Sequence, residues 1–288
     1  VRTAPLRLSA LIHVTRPHIA AQAALYSLLG AYLSTDARSV LTTITAAAAL
    51  IVGIVVSFGF VINDYADADL DRLTKPERPI PSGAVSRPQA ALIALTLAGL
   101  ALVVAILAPA HLRPIAVLNL ALTAAYSLLL KGTVLLGNLT IAFLNSSIIA
   151  FGALAAAGVS PLIWLVVGMI FVYTLAQEVL YTVDDRQGDA SAGLCTTAVY
   201  FGVGPTLWLF RALIVAAGLI ALLPLVFGLA SPLYIIALLI FTLLPIGLRI
   251  LPLTMRLDEG SIRAACATVK WVRLSSLVPL LLLPLLGT

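Results

Sequence analysis

Charge is what this chain lacks most. Only 10% of its 288 residues are charged, while 61% are hydrophobic and the mean hydropathy is +1.12. A soluble domain carries about 25% charged residues. So few charges cannot cover a water-facing surface, so lipid is expected to solvate much of the chain, read as one membrane domain over 1–288. Cysteine is also scarce: Cys195 and Cys266 have no CxxC spacing, which argues against a disulfide framework. His13, His18 and His111 show no metal-ligand spacing. The net charge of +5 comes from 17 basic residues scattered through short loops, not from a basic run or an aromatic-rich basic face, which excludes a nucleic-acid partner.

What is present in abundance is long apolar runs. Nine segments reach the roughly 20 residues a span needs, at about 9–32, 40–62, 88–108, 112–130, 133–157, 161–183, 204–228, 231–250 and 268–287. An all-α, multi-pass membrane protein with nine transmembrane helices is expected. The first segment is too long for a cleaved signal peptide, contains Arg16 and Pro17, and is followed by eight more spans. With the N-terminus inside, Arg2, Arg7, Arg72, Lys75, Arg78, Arg87, Lys131, Arg186, Arg256 and Arg263 fall on the cytoplasmic side and only Arg38 and Arg113 opposite. The positive-inside rule therefore predicts a cytoplasmic N-terminus in the cell membrane.

The chain has 12 acidic residues, and nine of them occupy two short windows. Asp64, Asp67, Asp69, Asp71 and Glu77 lie in 64–77; Glu178, Asp184, Asp185 and Asp189 lie in 178–189. Each window closes a span, and four spans separate them, so both are predicted on the cytoplasmic side. Solvated loops would explain any single Asp but not this clustering. Asn63, Asp67 and Asp71 are spaced by four, as are Tyr181, Asp185 and Asp189. On a continuing helix each set stacks on one face. Stacked like charges repel, so a cation is expected between them, and no nearby basic side chain is expected to suffice. Hard divalent ions suit such oxygen ligands, and Mg2+ typically adds substrate phosphate and water to a few carboxylates. A diphosphate bridged to both clusters by Mg2+ is the simplest occupant.

The two windows resemble motifs of the UbiA superfamily of intramembrane prenyltransferases: NDxxDxxxD at Asn63, Asp64, Asp67 and Asp71, and YxxxDxxxD at Tyr181, Asp185 and Asp189. Arg16-Pro17, the run Arg78-Pro79-Ile80-Pro81-Ser82-Gly83 and the stretch Tyr126-Ser127…Lys131…Gly137-Asn138 are also similar. The resemblance covers nearly the whole chain. It implies nine helices bundled around a central cavity, cytoplasmic cap loops, and lateral access from the bilayer. The implied reaction is Mg2+-dependent prenyl transfer from a diphosphate to a nucleophilic acceptor. Neutralising the leaving group promotes ionisation of an allylic diphosphate, and a water-poor site protects the cation.

Asn63, Asp67, Asp71, Asp185 and Asp189 are the expected metal ligands. Asp64 matches the motif but sits one residue off the stripe, so it serves as ligand or orients the loop. Asp69 and Asp184 match no required position and are expected to be solvated. Lys131, Arg78 and Arg72 are candidates for the diphosphate, against a reading as interfacial anchors. Arg16, about two turns into the first span, is expected to face the cavity, since a bare charge towards lipid is costly. Tyr181 would shield a cation with its ring or hydrogen-bond the diphosphate. Tyr126, Ser127, Asn138 and Asn145 line an acceptor pocket or bridge helices. The region from Asn63 to Gly83, with Gly188-Asp189…Gly193-Leu194-Cys195-Thr196, looks most like the archaeal ether-lipid branch, which transfers geranylgeranyl to geranylgeranylglyceryl phosphate. An aromatic acceptor such as 4-hydroxybenzoate is the alternative. A cation-coupled transporter fits less well, because transporter sites lie near the bilayer midplane on broken helices.

Overall fold

The computed structural model describes residues 8–35 and 39–284. Arg2, Arg7 and Arg38, which enter the orientation argument, lie outside the described residues. Within them every regular element is a helix. Eight helices are long and apolar enough to cross a membrane: Thr43–Ala66, Arg87–Leu107, Ala110–Leu130, Leu136–Ala155, Pro161–Asp184, Val203–Val226, Pro232–Thr254 and Glu259–Leu282.

The first expected span is helical but broken. It forms α1 (Leu8–Thr15) and α2 (Pro17–Ser34), joined by Arg16 at φ 46°, ψ 57°. Pro17 disfavours the α conformation in the residue before it, and Arg16 takes a left-handed conformation that is uncommon for a non-glycine residue. Local signals start several of the other helices. Thr42 and Ser86 make capping boxes with Thr45 and Gln89, opening α3 (Thr43–Ala66) and α5 (Arg87–Leu107). Ser160 and Ser231 cap helices that begin with Pro161 and Pro232.

The last membrane helix starts earlier than its apolar run suggests. The Asp258 side chain accepts from the Ser261 N–H at 2.8 Å and opens a helix at Glu259, nine residues ahead of the expected 268. The added turns place Lys270 and Arg273 well inside the helix rather than at its mouth. Periodic burial of Ile262, Ala265, Cys266, Val269 and Val272 forms this helix, and a count of consecutive apolar residues does not register that pattern.

The described residues divide into two compact units. One holds those up to Lys131 together with Ile148–Gly158; the other holds Gly132–Ser147 and those from Val159 onward. In the first unit, Ile51, Val52 and Val55 of α3 pack with Ala101 and Ala105 of α5 and with Phe151. Helix α2 also meets the second half of Leu136–Ala155 at very close range. A Cβ on Gly30 would collide with the Ile149 carbonyl, and one on Gly152 with the Ser27 carbonyl. Small residues at such contacts let backbones approach where lipid supplies no hydrophobic drive. In the second unit the core joins Leu180 and Val183 to Phe210, Ile214, Ile250 and Val269. Large apolar side chains such as Leu92, Leu95, Ile106 and Leu107 point outward, as lipid-facing helices require.

Candidate active site

The first carboxylate stripe is built as its spacing requires. Asp67, at φ −81°, ψ −2°, joins α3 to the short α4 (Ala68–Thr74). The hydrogen bonds run straight through the joint: Asp67 N–H to the Asn63 carbonyl at 2.9 Å, and Asp71 N–H to the Asp67 carbonyl at 2.8 Å. Asn63, Asp67 and Asp71 therefore share one face. The Asn63 amide donates to Asp67 Oδ2 at 2.9 Å.

Three basic side chains converge on these acids, which corrects the expectation that no adequate cationic partner would be found. Lys131 Nζ is paired with Asp67 Oδ2 and donates to Asn63 Oδ1 at 3.3 Å. Arg78 donates to Asp71 Oδ2 at 2.7 Å and lies 3.5 Å from Asp64 Oδ1 and 4.0 Å from Asp67 Oδ2. Arg16 donates to Asp64 Oδ1 at 3.1 Å, with its guanidinium 4.5 Å from the Phe60 ring centroid. Three elements far apart in sequence supply these cations, and linear spacing gives no sign of that. Lys131 is aimed by a π turn over Tyr126–Leu130, closed by the Lys131 N–H on the Tyr126 carbonyl at 3.0 Å. Such turns are frequent at functional sites.

Asp64 is only 1% exposed and is clasped by Arg16 and Arg78, so it is part of the cluster although it lies off the stripe. Its Oδ2 has no protein partner. Asp69 is exposed, as expected, and pairs with Arg72 at 3.1 Å and Arg87 at 2.6 Å. Arg72 thus turns to the outer acid rather than to the stripe. Ser127 is buried and Tyr126 half-buried.

The second stripe repeats the design within the other unit. Asp185, at φ −86°, ψ −2°, joins α8 (Pro161–Asp184) to α9 (Arg186–Ser191). Asp185 N–H bonds the Tyr181 carbonyl and Asp189 N–H the Asp185 carbonyl, each at 2.9 Å. Thr196 donates its hydroxyl to Asp189 Oδ2 at 2.9 Å, and the Leu194 N–H reaches the Asp189 carbonyl at 2.9 Å. Gly193, at φ 71°, makes the turn that brings this loop back. Thr197 donates to the buried Asn138 at 2.8 Å, so Asn138 ties the loop after the motif to Leu136–Ala155. Asn145 is half-buried on that same helix. Lys270 Nζ lies 5.2 Å from the Tyr181 ring centroid, so one ring face already carries a cation. Asp184 is 3.9 Å from Arg263.

Among the described residues no group of three or more Asp, Glu, His or Cys side chains is gathered tightly enough to hold a metal unaided. The donors are nonetheless all hard oxygens, and Asp64 keeps one oxygen unclaimed. This set fits Mg2+, which is bound through one or two carboxylates plus substrate phosphate and water rather than by an all-protein cage.

Helical spans ending in two aspartate-centred joints, one richly supplied with cations, define a membrane protein built to handle an anionic ligand at its helix ends. The UbiA prenyltransferase family matches residues 23–274, and the chain belongs to it. It is 37% identical over 259 residues to digeranylgeranylglyceryl phosphate synthase of Hyperthermus butylicus, covering 85% of each chain. The enzyme of that name from Methanopyrus kandleri is 33% identical over 230 residues, covering 79% of this chain and 82% of that one. A solved structure concerned with digeranylgeranylglyceryl phosphate synthase in membranes superposes with a TM-score of 0.79 at 22% identity, covering 96% of this chain and 98% of that one. A UbiA homolog from Archaeoglobus fulgidus bound to GPP and Mg2+ gives 0.70 at 17% identity, covering 93% and 100%.

Proposed function

We propose that this enzyme transfers a geranylgeranyl group from its diphosphate to geranylgeranylglyceryl phosphate, a step of archaeal ether-lipid synthesis, with Mg2+ as cofactor. The observation that carries the reading is the pair of aspartate joints at Asp67 and Asp185, each continuing a helical stripe of oxygen ligands. The relatives' names favour a glycerol-ether acceptor over an aromatic one such as 4-hydroxybenzoate. The whole chain acts as one prenyltransferase domain. It has nine membrane helices around a cavity, α1 and α2 together making the ninth, with the N-terminus and both motif ends cytoplasmic.

Asn63, Asp67, Asp71, Asp185 and Asp189 would hold the metal, and Asp64 would join them through its unclaimed Oδ2 while its Oδ1 orients Arg16 and Arg78. When bound, the metal neutralises charge developing on the leaving diphosphate. Lys131 and Arg78 already stand against the carboxylates and need only rotate to meet phosphate oxygens. Arg16 and Tyr181 border the same chemistry. Tyr126, Ser127 and Asn145 contribute to the acceptor side, and Arg72 steadies the outer loop through Asp69.

The test is to incubate the purified protein with geranylgeranyl diphosphate, Mg2+ and each acceptor, and to identify products by mass. The glycerol ether is expected to yield product only with the divalent ion, activity vanishing with chelator and returning with Mg2+. Product from 4-hydroxybenzoate alone would overturn the acceptor, and full activity in metal-free buffer the metal.

A further inference from the structure

Two acids in the second window, Glu178 and Asp184, belong to neither stripe; Asp184 ends its helix 3.9 Å from Arg263, and Glu178 lies deeper. Glu178 lies inside the membrane helix Pro161–Asp184, three residues before Tyr181 and seven before Asp185. Those intervals put all three on one helix face. Glu178 is about two turns, ~10 Å, deeper than Asp185. A carboxylate at such depth is expensive and marks function by default.

Its surroundings describe what it faces. Gln177 and Val179 on either side are 2% and 0% exposed, yet Glu178 itself keeps accessible surface. That accessible side chain lies on the face it shares with half-buried Tyr181 and exposed Asp185, the face that ends in the second stripe. The charges acting on it are Arg273, from Glu259–Ser275, and more weakly Asp185, with the Gln177 side chain beside it. Arg211, on the neighbouring Val203–Val226, is committed to the Leu207 carbonyl and the Trp208 ring. Tyr181 also interacts with Glu178, and Cys266 and Lys270 lie against Tyr181 in turn. Gln177 Oε1 is buried with no protein partner, and buried polar atoms are ordinarily hydrogen-bonded.

Resting on the prenyl-transfer reading above, we propose that Glu178 is the base that takes the proton from the acceptor hydroxyl. With the diphosphate at the Asp185 end of the helix, the allylic carbon lies deeper. The attacking oxygen must sit about 3–3.5 Å from that carbon, within reach of a side chain two turns below the stripe. The C1–O bond to diphosphate breaks and its electron pair leaves with diphosphate. An oxygen lone pair of the acceptor forms the new C–O bond, and the hydroxyl proton passes to Glu178, which later releases it to water. Arg273 is the cation that acts on the carboxylate, and the Gln177 side chain borders it.

The experiment compares wild type, Glu178→Gln, Glu178→Asp and the double variant Glu178→Gln, Arg273→Gln, all full length. Three quantities are read: binding of a non-ionisable geranylgeranyl thiolodiphosphate, acceptor-independent diphosphate release, and product formation across pH. Glu178→Gln is expected to keep the first two and lose product formation by about a hundredfold or more, the range of a general base. The acidic limb of its pH profile should disappear, because an amide has no proton to lose as pH rises. Glu178→Asp should retain the limb with reduced turnover, and it decides the matter if Glu178→Gln does not fold. Wild-type turnover in either single variant, parallel loss of donor binding, or rescue in the double variant would make Glu178 a mere ion-pair partner of Arg273 and overturn the proposal. Should the wild-type protein accept some other hydroxyl compound instead, the same comparison with that compound tests the base while the glycerol-ether reading falls alone.

Discussion

At the scale of single residues, the first cluster shows charge balanced before any ligand arrives. Asp64 is buried and shares Oδ1 between Arg16 and Arg78, while Asp67 and Asp71 each have a basic partner. In a low-dielectric setting such a balance matters more for what its removal leaves behind than for the attraction itself. Arg16→Met should strip Asp64 of its nearer partner and cost about 3–5 kcal/mol, the range for breaking a buried pair. The unfolding midpoint in detergent is expected to fall accordingly, with Arg16→Lys intermediate because an ammonium lacks the planar fork that spans Asp64 and Phe60. An unchanged midpoint in Arg16→Met would show that Arg78 alone holds Asp64. Spacing identified the acids and stacked them correctly because i, i+4 is a local relation. It could not reveal their partners, since Arg16, Arg78 and Lys131 reach Asp64, Asp71 and Asp67 across separations of 48, 7 and 64 residues.

Elements were legible wherever they obey a single rule. Continuous apolarity located eight membrane helices to within a few residues at most ends. It fails where helices are built otherwise: Arg16-Pro17 breaks the first span, and the amphipathic start of Glu259–Ser275 lies ahead of the apolar run at 268–287. That start depends on Asp258, whose carboxyl is held below the ordinary Asp range by hydrogen bonding from Ser261. A depressed folded-state pKa contributes stability at pH above the unfolded value, and the contribution is lost as pH falls through the folded value. Amide exchange in the first turn, read by mass spectrometry, should therefore accelerate only at strongly acidic pH. Asp258→Asn, which still caps, should remove that pH dependence, whereas Asp258→Ala should exchange fast throughout. Exchange insensitive to all three changes would mean that packing of Ile262 and Cys266, not the cap, starts this helix.

For the whole molecule, the proposed orientation and the proposed chemistry make linked demands. Four spans separate the two windows, so single cysteines at Ser82 and Ser191, in a background lacking Cys195 and Cys266, should both react with an impermeant reagent from the cytoplasmic face. Labelling from opposite faces would remove the shared diphosphate along with the topology. If that test is passed, the two aspartate joints become separable by kinetics. Asn replacements are the right probes, because they keep shape and hydrogen bonding while removing one charge; alanine at Asp67 would also empty the space beside Lys131. If both joints clasp one leaving group, as proposed, Asp67→Asn and Asp185→Asn each weaken one side of that clasp. Each should lower turnover by about a hundredfold or more, the usual cost of a lost electrostatic stabiliser, whichever acceptor is supplied. Residues that serve one transition state do not contribute independently, so the double variant should lose much less than the product of the single losses. Changes at Asn145 or Ser127, by contrast, should alter acceptor preference and leave Mg2+-dependent donor binding intact. Donor binding and turnover with two acceptors distinguish the cases. A fully active Asp185→Asn beside a dead Asp67→Asn would reduce the second joint to a solvated helix end and leave the first cluster, with its three basic partners, to hold the diphosphate alone.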